Sequence, residues 1–253
     1  MKVSFCITCK NRFFQISKTL IKNLKDNASS KNDVEFILVD FDSKDGLKDW
    51  VLPNFKNELT SGYLKYFFTK ELPNWNCSIA KNTAHFLATG DILVNLDCDN
   101  FTGEDGGMYV KRQFTLYGSK LVLHQSSSNA GDGSFGRISV LKKYFRLLGG
   151  YDEMFNPMGY QDIDLILRLV KFGLFYVPKC NLLYNSAIQN SKEEGLLYAN
   201  SRKTYTEMSF ENRMLSTENL NIGNIIANNG LGGIKKNVFK YVDGDFLEVN
   251  RDQ

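Results

Sequence analysis

Residues 91–100 read DILVNLDCDN, and the rest of the chain is best interpreted outward from them. An apolar run ends in Asp97, Cys98, Asp99 and Asn100. In an extended chain, positions i and i+2 project to one side about 7 Å apart, so Asp97 and Asp99 face a common space. Two carboxylates there repel unless a hard divalent cation or donated hydrogen bonds come between them. Asp and Asn are also common turn formers, so the fragment alone reads equally well as a polar turn after a strand.

Upstream, the hydrophobic period alternates. VSFCIT (3–8) reads as a strand, and RFFQISKTLIKNL (12–24) as a helix with Phe13, Ile16, Leu20 and Leu24 on one side. VEFILVDF (34–41) is a near-continuous apolar run, as in a strand buried on both faces. The turn DSKDG follows, then the short helix LKDWVLPNF, stopped near Pro53. YLKYFF (63–68) is a further strand, and CSIAKNTAHFLATG (77–90) a helix closed by glycine. This alternation predicts an α/β fold, a mostly parallel sheet flanked by helices.

Downstream the pattern is mixed. KLVLHQ (120–125) and GRISVL (136–141) read as strands, LKKYFRLLGG as a short helix ending at Gly149, and QDIDLILRLVKFG (161–173) as a helix. LFYVP and NLLYN read as short strands, and from about residue 191 the chain becomes polar, Asn-rich and helical. In open α/β sheets ligands bind beyond the carboxyl ends of the strands. TCKNR, DFDSKDG and DCDN all fall there, which independent turns would explain poorly.

The 253 residues are 43% hydrophobic, enough for a sizeable core, and a net charge of +3 is too mild to imply nucleic acid as a partner. No apolar run approaches the length of a membrane span. The N-terminus lacks the apolar core and cleavage site of a signal peptide, so a cytoplasmic location is expected, with the inner face of the membrane as an alternative. The basic, aromatic stretch GGIKKNVFKYV (232–242) is the candidate for peripheral membrane contact, although it reads better as a solvated surface. Five scattered cysteines argue against a disulfide framework. Cys6 and Cys9 are not expected to bind zinc, because a spacing of three in a strand points them to opposite faces and only two histidines exist to complete a site.

Four blocks in order carry a resemblance: VSFCITCKNR, VEFILVDFDSKDG, SIAKNTAHFLATGDILVNLDCDN and GRISVLKKYFRLLGGYDEMFNPMGYQDIDLILRL. They resemble glycosyltransferases of the GT-A fold, especially inverting family-2-like enzymes with a galactosyltransferase-type C-terminal half. The resemblance implies a nucleotide-sugar-binding half at 1–100, a catalytic and acceptor-binding half at 101–190, and an extension at 191–253. It implies a UDP-sugar donor, a glycan or lipid-linked saccharide acceptor, a role in surface polysaccharide synthesis, and Mn2+ or Mg2+ at the DxD motif.

Residue by residue, the resemblance makes Asp99 the direct metal ligand and places Asp97 against the ribose or a metal-bound water. Asp40, with Ser43 in the turn after it, would accept hydrogen bonds from the nucleobase. Thr8, Cys9, Asn11 and Arg12 would form the first nucleotide loop, although the family more often has proline at position 8 and an aromatic residue at position 10. Lys81 and Asn82 match an Arg-Asn pair near the ribose and diphosphate. Asp162 would be the general base, which also suits the start of a helix. Tyr160, Gln161 and Asp164 are acceptor-side candidates, Gln161 standing where Glu is usual and Asp164 reading better as support for the first helical turn. The family's histidine metal ligand has no counterpart, and Asn185 is the candidate in its place. A nucleotidyltransferase is the alternative enzyme, disfavoured because TCKNR lacks a glycine-rich loop, and a catalytically silent sugar-nucleotide or glycan-binding subunit is the other.

Overall fold

A computed structural model describes residues 1–126 and 133–250, so the last three residues of the expected C-terminal extension lie outside it. The order begins β1 (Val3–Cys9), α1 (Phe13–Asp26), β2 (Val34–Asp40), α2 (Leu47–Asn54), α3 (Lys56–Thr60), β3 (Leu64–Thr69), α4 (Cys77–Leu87) and β4 (Ile92–Asn95). It continues with α5 (Gly106–Tyr117), β5 (Leu121–His124), β6 (Ile138–Leu141), α6 (Lys142–Leu147), α7 (Gln161–Lys171) and β7 (Phe175–Pro178). It ends with α8 (Lys192–Leu196), α9 (Tyr205–Asn221), β8 (Val238–Val242) and β9 (Asp245–Glu248).

Among the described residues these strands form one nine-stranded sheet in the order β7-β5-β6-β4-β1-β2-β3-β8-β9. β4, β1, β2 and β3 run parallel, as the alternating sequence predicts. Every residue of β1, β2 and β4 is buried, because helices cover both faces of the sheet. Cys6 and Cys9 indeed fall into two separate core clusters, one on each face. The parallel register brings Cys9, Asp40 and Asn95 to one edge, the edge where the site forms.

Two expectations need correcting. NLLYN is no strand: residues 181–184 turn, with Tyr184 N–H donating to Asn181 C=O, and Leu182 and Leu183 are exposed. The extension is not simply helical. The stretch 232–242 runs into β8, which pairs antiparallel with β3 and forms a hairpin with β9. Its turn, Asp243–Gly244, uses positive φ at both residues, which Asp and Gly tolerate. Among the described residues no helix is long and apolar enough to cross a membrane.

Candidate active site

A cavity of about 470 Å³ opens at the carboxyl ends of β1 and β4, against the N-termini of α4 and α7. Thr8, Lys10, Arg12, Lys81, Asp97, Asp99, Gln161 and Asp162 lie on its wall. The volume is in the range of pockets that take small organic ligands.

At its centre one ammonium joins two carboxylates. Lys81 Nζ donates to Asp162 Oδ1 at 2.8 Å and stands 3.7 Å from Asp97 Oδ1. The partners arrive from separate places: Asp97 follows β4, Lys81 sits on α4, and Asp162 is in the first turn of α7. Asn76 caps α4 by accepting from Ile79 N–H at 3.1 Å. The chain enters α7 through Gly159 and Tyr160 at φ 93° and 67°, a left-handed pair that turns Asp162 back toward the cavity. Burial works against the charged form of Lys81, yet Asp162 and then Asp97 outweigh it, and its pKa lies well above the ordinary lysine value. Gly136 keeps the centre open, since a Cβ there would meet Asp97 Oδ2 at 2.7 Å and Lys81 Nζ at 3.1 Å.

Asp99 forms the second focus. Its oxygens accept from Asn100 Nδ2 and Asn190 Nδ2, each at 2.6 Å. Burial, with Asp97 beside it, pushes the Asp99 carboxyl up to about 6. A carboxyl made reluctant to ionise by burial and a like neighbour suits a place where a cation is to come. The donors are hard oxygens, which match Mg2+ or Mn2+. No group of three His, Cys, Asp or Glu side chains surrounds this point among the described residues. The two carboxylates Asp97 and Asp99 fit a hard divalent ion in the chemistry of their donors, as a partial set that leaves further ligand positions to other groups.

The structure removes other expected residues from the wall. Asp40 is fully buried, its oxygens accepting from Tyr66 OH at 2.6 Å and Ser43 N–H at 2.8 Å, so the carboxylate is spent on the turn after β2. Asn11 and Ser43 latch two loops: Asn11 N–H donates to Ser43 Oγ and Lys44 N–H to Asn11 Oδ1. Cys9 lies in the core. Asn82, also fully buried, donates to Tyr151 C=O and Glu153 Oε1 and accepts from Tyr151 N–H, clamping the loop before α7. Asp164 pairs with Arg168 at 2.7 Å and accepts from Ser216 Oγ, joining α7 to α9. Tyr160 provides the turn and is not on the wall. Asn185 is buried off the cavity, donating to Lys179 C=O, while Asn190 takes the expected place beside Asp99.

The sequence reading missed Trp75, Tyr198 and Tyr205 on the wall and did not assign Lys10 a role. Lys10 Nζ is anchored to Phe41 C=O at 2.9 Å and Leu72 C=O at 3.0 Å. Trp75 could have been suspected, since LPNWN places an indole just ahead of a capped helix. Tyr198 is brought in by Trp75 N–H donating to its C=O, a contact with no local signal. The segment around it also ties Arg12 to Glu194 at 2.7 Å.

The model for glycosyl transferase family 2 matches residues 4–105. No curated protein matches the chain. Among solved structures, the mannosyltransferase PcManGT from Pyrobaculum calidifontis, in complex with GDP-Man and Mn2+, superposes with a TM-score of 0.60 at 14% identity, over 88% of this chain and 70% of that one. S. aureus TarS 1–349 in complex with UDP gives 0.58 at 14% identity, over 87% and 74%. The same protein with UDP-GlcNAc gives 0.52 at 15% identity, over 87% and 74%. At these identities the likeness establishes the fold, GT-A.

Proposed function

We propose that this chain, a GT-A-fold glycosyltransferase with a family 2 segment at residues 4–105, transfers a hexose or N-acetylhexosamine from a nucleoside-diphosphate sugar to an acceptor hydroxyl with inversion. Residues 1–100 hold the donor, 101–190 supply the base and acceptor side, and 191–253 complete the site as an extension. The observation that carries this reading is the Asp97–Lys81–Asp162 chain on one cavity wall.

In this reading Asp97 and Asp99 would hold a divalent ion, which would supply Lewis-acid stabilisation of the departing diphosphate. In the same reading Lys81, kept charged by its two carboxylates, would meet the negative charge growing on the leaving group, where a preorganised cation acts most strongly. Arg12 adds a second cation on the same wall. Asp162 takes the proton of the acceptor hydroxyl as it attacks the face opposite the leaving group. Gln161, on the same wall, is the acceptor-side residue that would orient that hydroxyl in this reading.

The uridine expectation rested on Asp40, which the cavity does not reach, so UDP- and GDP-sugars belong side by side in the assay. The test is Asp162→Asn. The variant should bind UDP or GDP with Mn2+ as the wild type does, and lose about 10² to 10⁴ in turnover. Near-normal turnover removes the base assignment. A retained anomeric configuration in the wild-type product, read by proton NMR, removes the single displacement. Absent turnover in the wild type with intact nucleotide-sugar binding favours a silent binding subunit.

A further inference from the structure

The stretch 232–242 is the sequence's candidate for peripheral membrane contact, with a solvated surface as the favoured reading, and its place in the fold suggests something else. Strands β3, β8 and β9 align aromatic residues on one face of the sheet edge. Phe68 pairs with Phe239, and Tyr241 with Phe246, so side chains at these paired positions share a face. The rings touch: Phe246 lies 6.2 Å from Phe68 and 5.5 Å from Tyr241, centroid to centroid. Over them opens a second cleft, of about 420 Å³, lined by Lys48, Phe68, Lys70, Glu71, Asn237, Phe239 and Phe246.

Its chemistry is distinctive. Three half-buried phenyl rings contribute the apolar lining, and no aliphatic side chain is among the described residues that form it. The rim is polar and exposed. Asn237 Nδ2 donates to Glu71 Oε1 at 3.0 Å, which engages the one acidic group. Lys48 and Lys70 have no ion-pair partner among the described residues, and Lys48 Nζ lies 5.8 Å from the Phe68 ring centroid. Exposed apolar surface rimmed by polar groups marks a binding groove. A pyranose ring carries C–H groups on its faces and hydroxyls around its edge, so it stacks on phenyl faces while its edge meets amide and ammonium donors. Lys48 and Lys70 outnumber Glu71, so the lining is net positive and favours an anionic ligand.

We propose that this cleft is a second saccharide site, separate from the catalytic cavity, that binds a glycan carrying carboxylate or phosphate groups. A concave aromatic floor favours a ligand entering it over a flat bilayer lying on it. The site is also close to the donor cavity along the chain: Glu71 lines the cleft, and the next residue, Leu72, accepts from Lys10 on the cavity wall.

The test uses the full chain and isothermal calorimetry with tetragalacturonate, glucose 6-phosphate and neutral cellotetraose as probes. Wild type should bind at least one anionic probe and bind cellotetraose more weakly. Lys48→Glu with Lys70→Glu should lower the anionic affinity at least tenfold and leave nucleotide-sugar hydrolysis unchanged, since neither residue lines the catalytic cavity. Asp162→Asn should keep anionic-probe binding intact, which separates this site from the catalytic reading. Binding of no probe by wild type, or equal affinity in the double variant, overturns the proposal. Cosedimentation with phosphatidylglycerol vesicles that the double variant loses, with no saccharide binding, assigns the face to a membrane instead.

Discussion

Two buried lysine–carboxylate clusters sit at opposite ends of the parallel strands, and only one turns its carboxylates toward a cavity. At the amino end, Glu35 of β2 accepts from Ser4 Oγ, Thr89 N–H, Thr89 Oγ1, Gly90 N–H and Lys65 Nζ, and Lys2 Nζ stands 3.2 Å away. Its side chain is 0% exposed, so nothing is left for a ligand. At the carboxyl end, Lys81 is just as buried, but Asp97 and Asp162 keep 32% and 13% of their side chains exposed. Both clusters place a charge where desolvation is expensive. The first is saturated by the protein, and the second, among the described residues, holds unused oxygens toward a cavity. Leftover hydrogen-bonding capacity, more than burial or charge, separates the proposed functional cluster from the structural one.

The largest test of that contrast is Lys81→Ala. If Lys81 stabilises charge developing on the leaving group, turnover should fall by about 10² to 10³. The two carboxylates left behind are partly solvated, so the melting temperature should move little. A stability loss large enough to account for the missing activity would make Lys81 a mirror image of the Glu35 cluster and erase the distinction.

The contrast also marks what the sequence could convey. Asp97 and Asp99 were legible from their place at a strand end, and Lys81 and Asp162 from the family resemblance of their blocks; all four lie on one cavity wall. Asp40, Asn82 and Asp164 occupy equally good motif positions. Their polar atoms are consumed by Tyr66, by Tyr151 and by Ser216, partners 26, 69 and 52 residues away. No local pattern records such a debt, so Asp40 and Asn82 looked free, while Asp164 already read better as support for the first helical turn. Asn185 and Asn190 show the same limit at short range, since the loop turn decides which of two nearby amides meets Asp99. The parallel core was legible from period alone. The β8–β9 hairpin was not, although VFKYVDGDFLE holds an Asp-Gly turn between strand-like runs, because the polar, Asn-rich composition around it suggested a helical tail.

At the amino end, Glu35→Gln should leave turnover per folded molecule unchanged and lower stability by about 3 kcal/mol, the scale of breaking a buried pair. The effect should depend on pH. Burial opposes the ionised Glu35, but Lys65, Ser4 and Thr89 overcome it and hold the carboxyl below its ordinary range. A depressed folded value contributes stability above the unfolded value of about 4.3 and loses it as pH falls toward the folded one. Urea titrations should therefore show wild type and Glu35→Gln converging below about pH 4. A gap that stays constant to pH 3 would mean that shape, not charge, is what Glu35 supplies.

The smallest expected effect comes from the other end of the same strand and has the opposite slope. Asp40 is the last residue of β2, buried like Glu35, but no lysine pairs with it among the described residues. Burial pushes its pKa up, and the donors Tyr66 and Ser43 only partly offset this. A raised folded value means that the ionised form weakens the fold, so Asp40 contributes most at low pH and least above its folded pKa. Asparagine cannot ionise, keeps one acceptor oxygen, and gives up one of two hydrogen bonds. Asp40→Asn should therefore stay within about 1 kcal/mol of wild type near neutrality. As pH falls, wild type should gain on Asp40→Asn while it loses its lead over Glu35→Gln. Two carboxylates five residues apart on one strand would then titrate against each other, because one faces ammonium groups and the other a phenol and an amide. Nucleotide affinity should not move in Asp40→Asn, since the side chain does not reach the cavity. Parallel pH slopes in the two variants, or a tenfold loss of UDP binding in Asp40→Asn, would break the comparison and return Asp40 to the nucleobase.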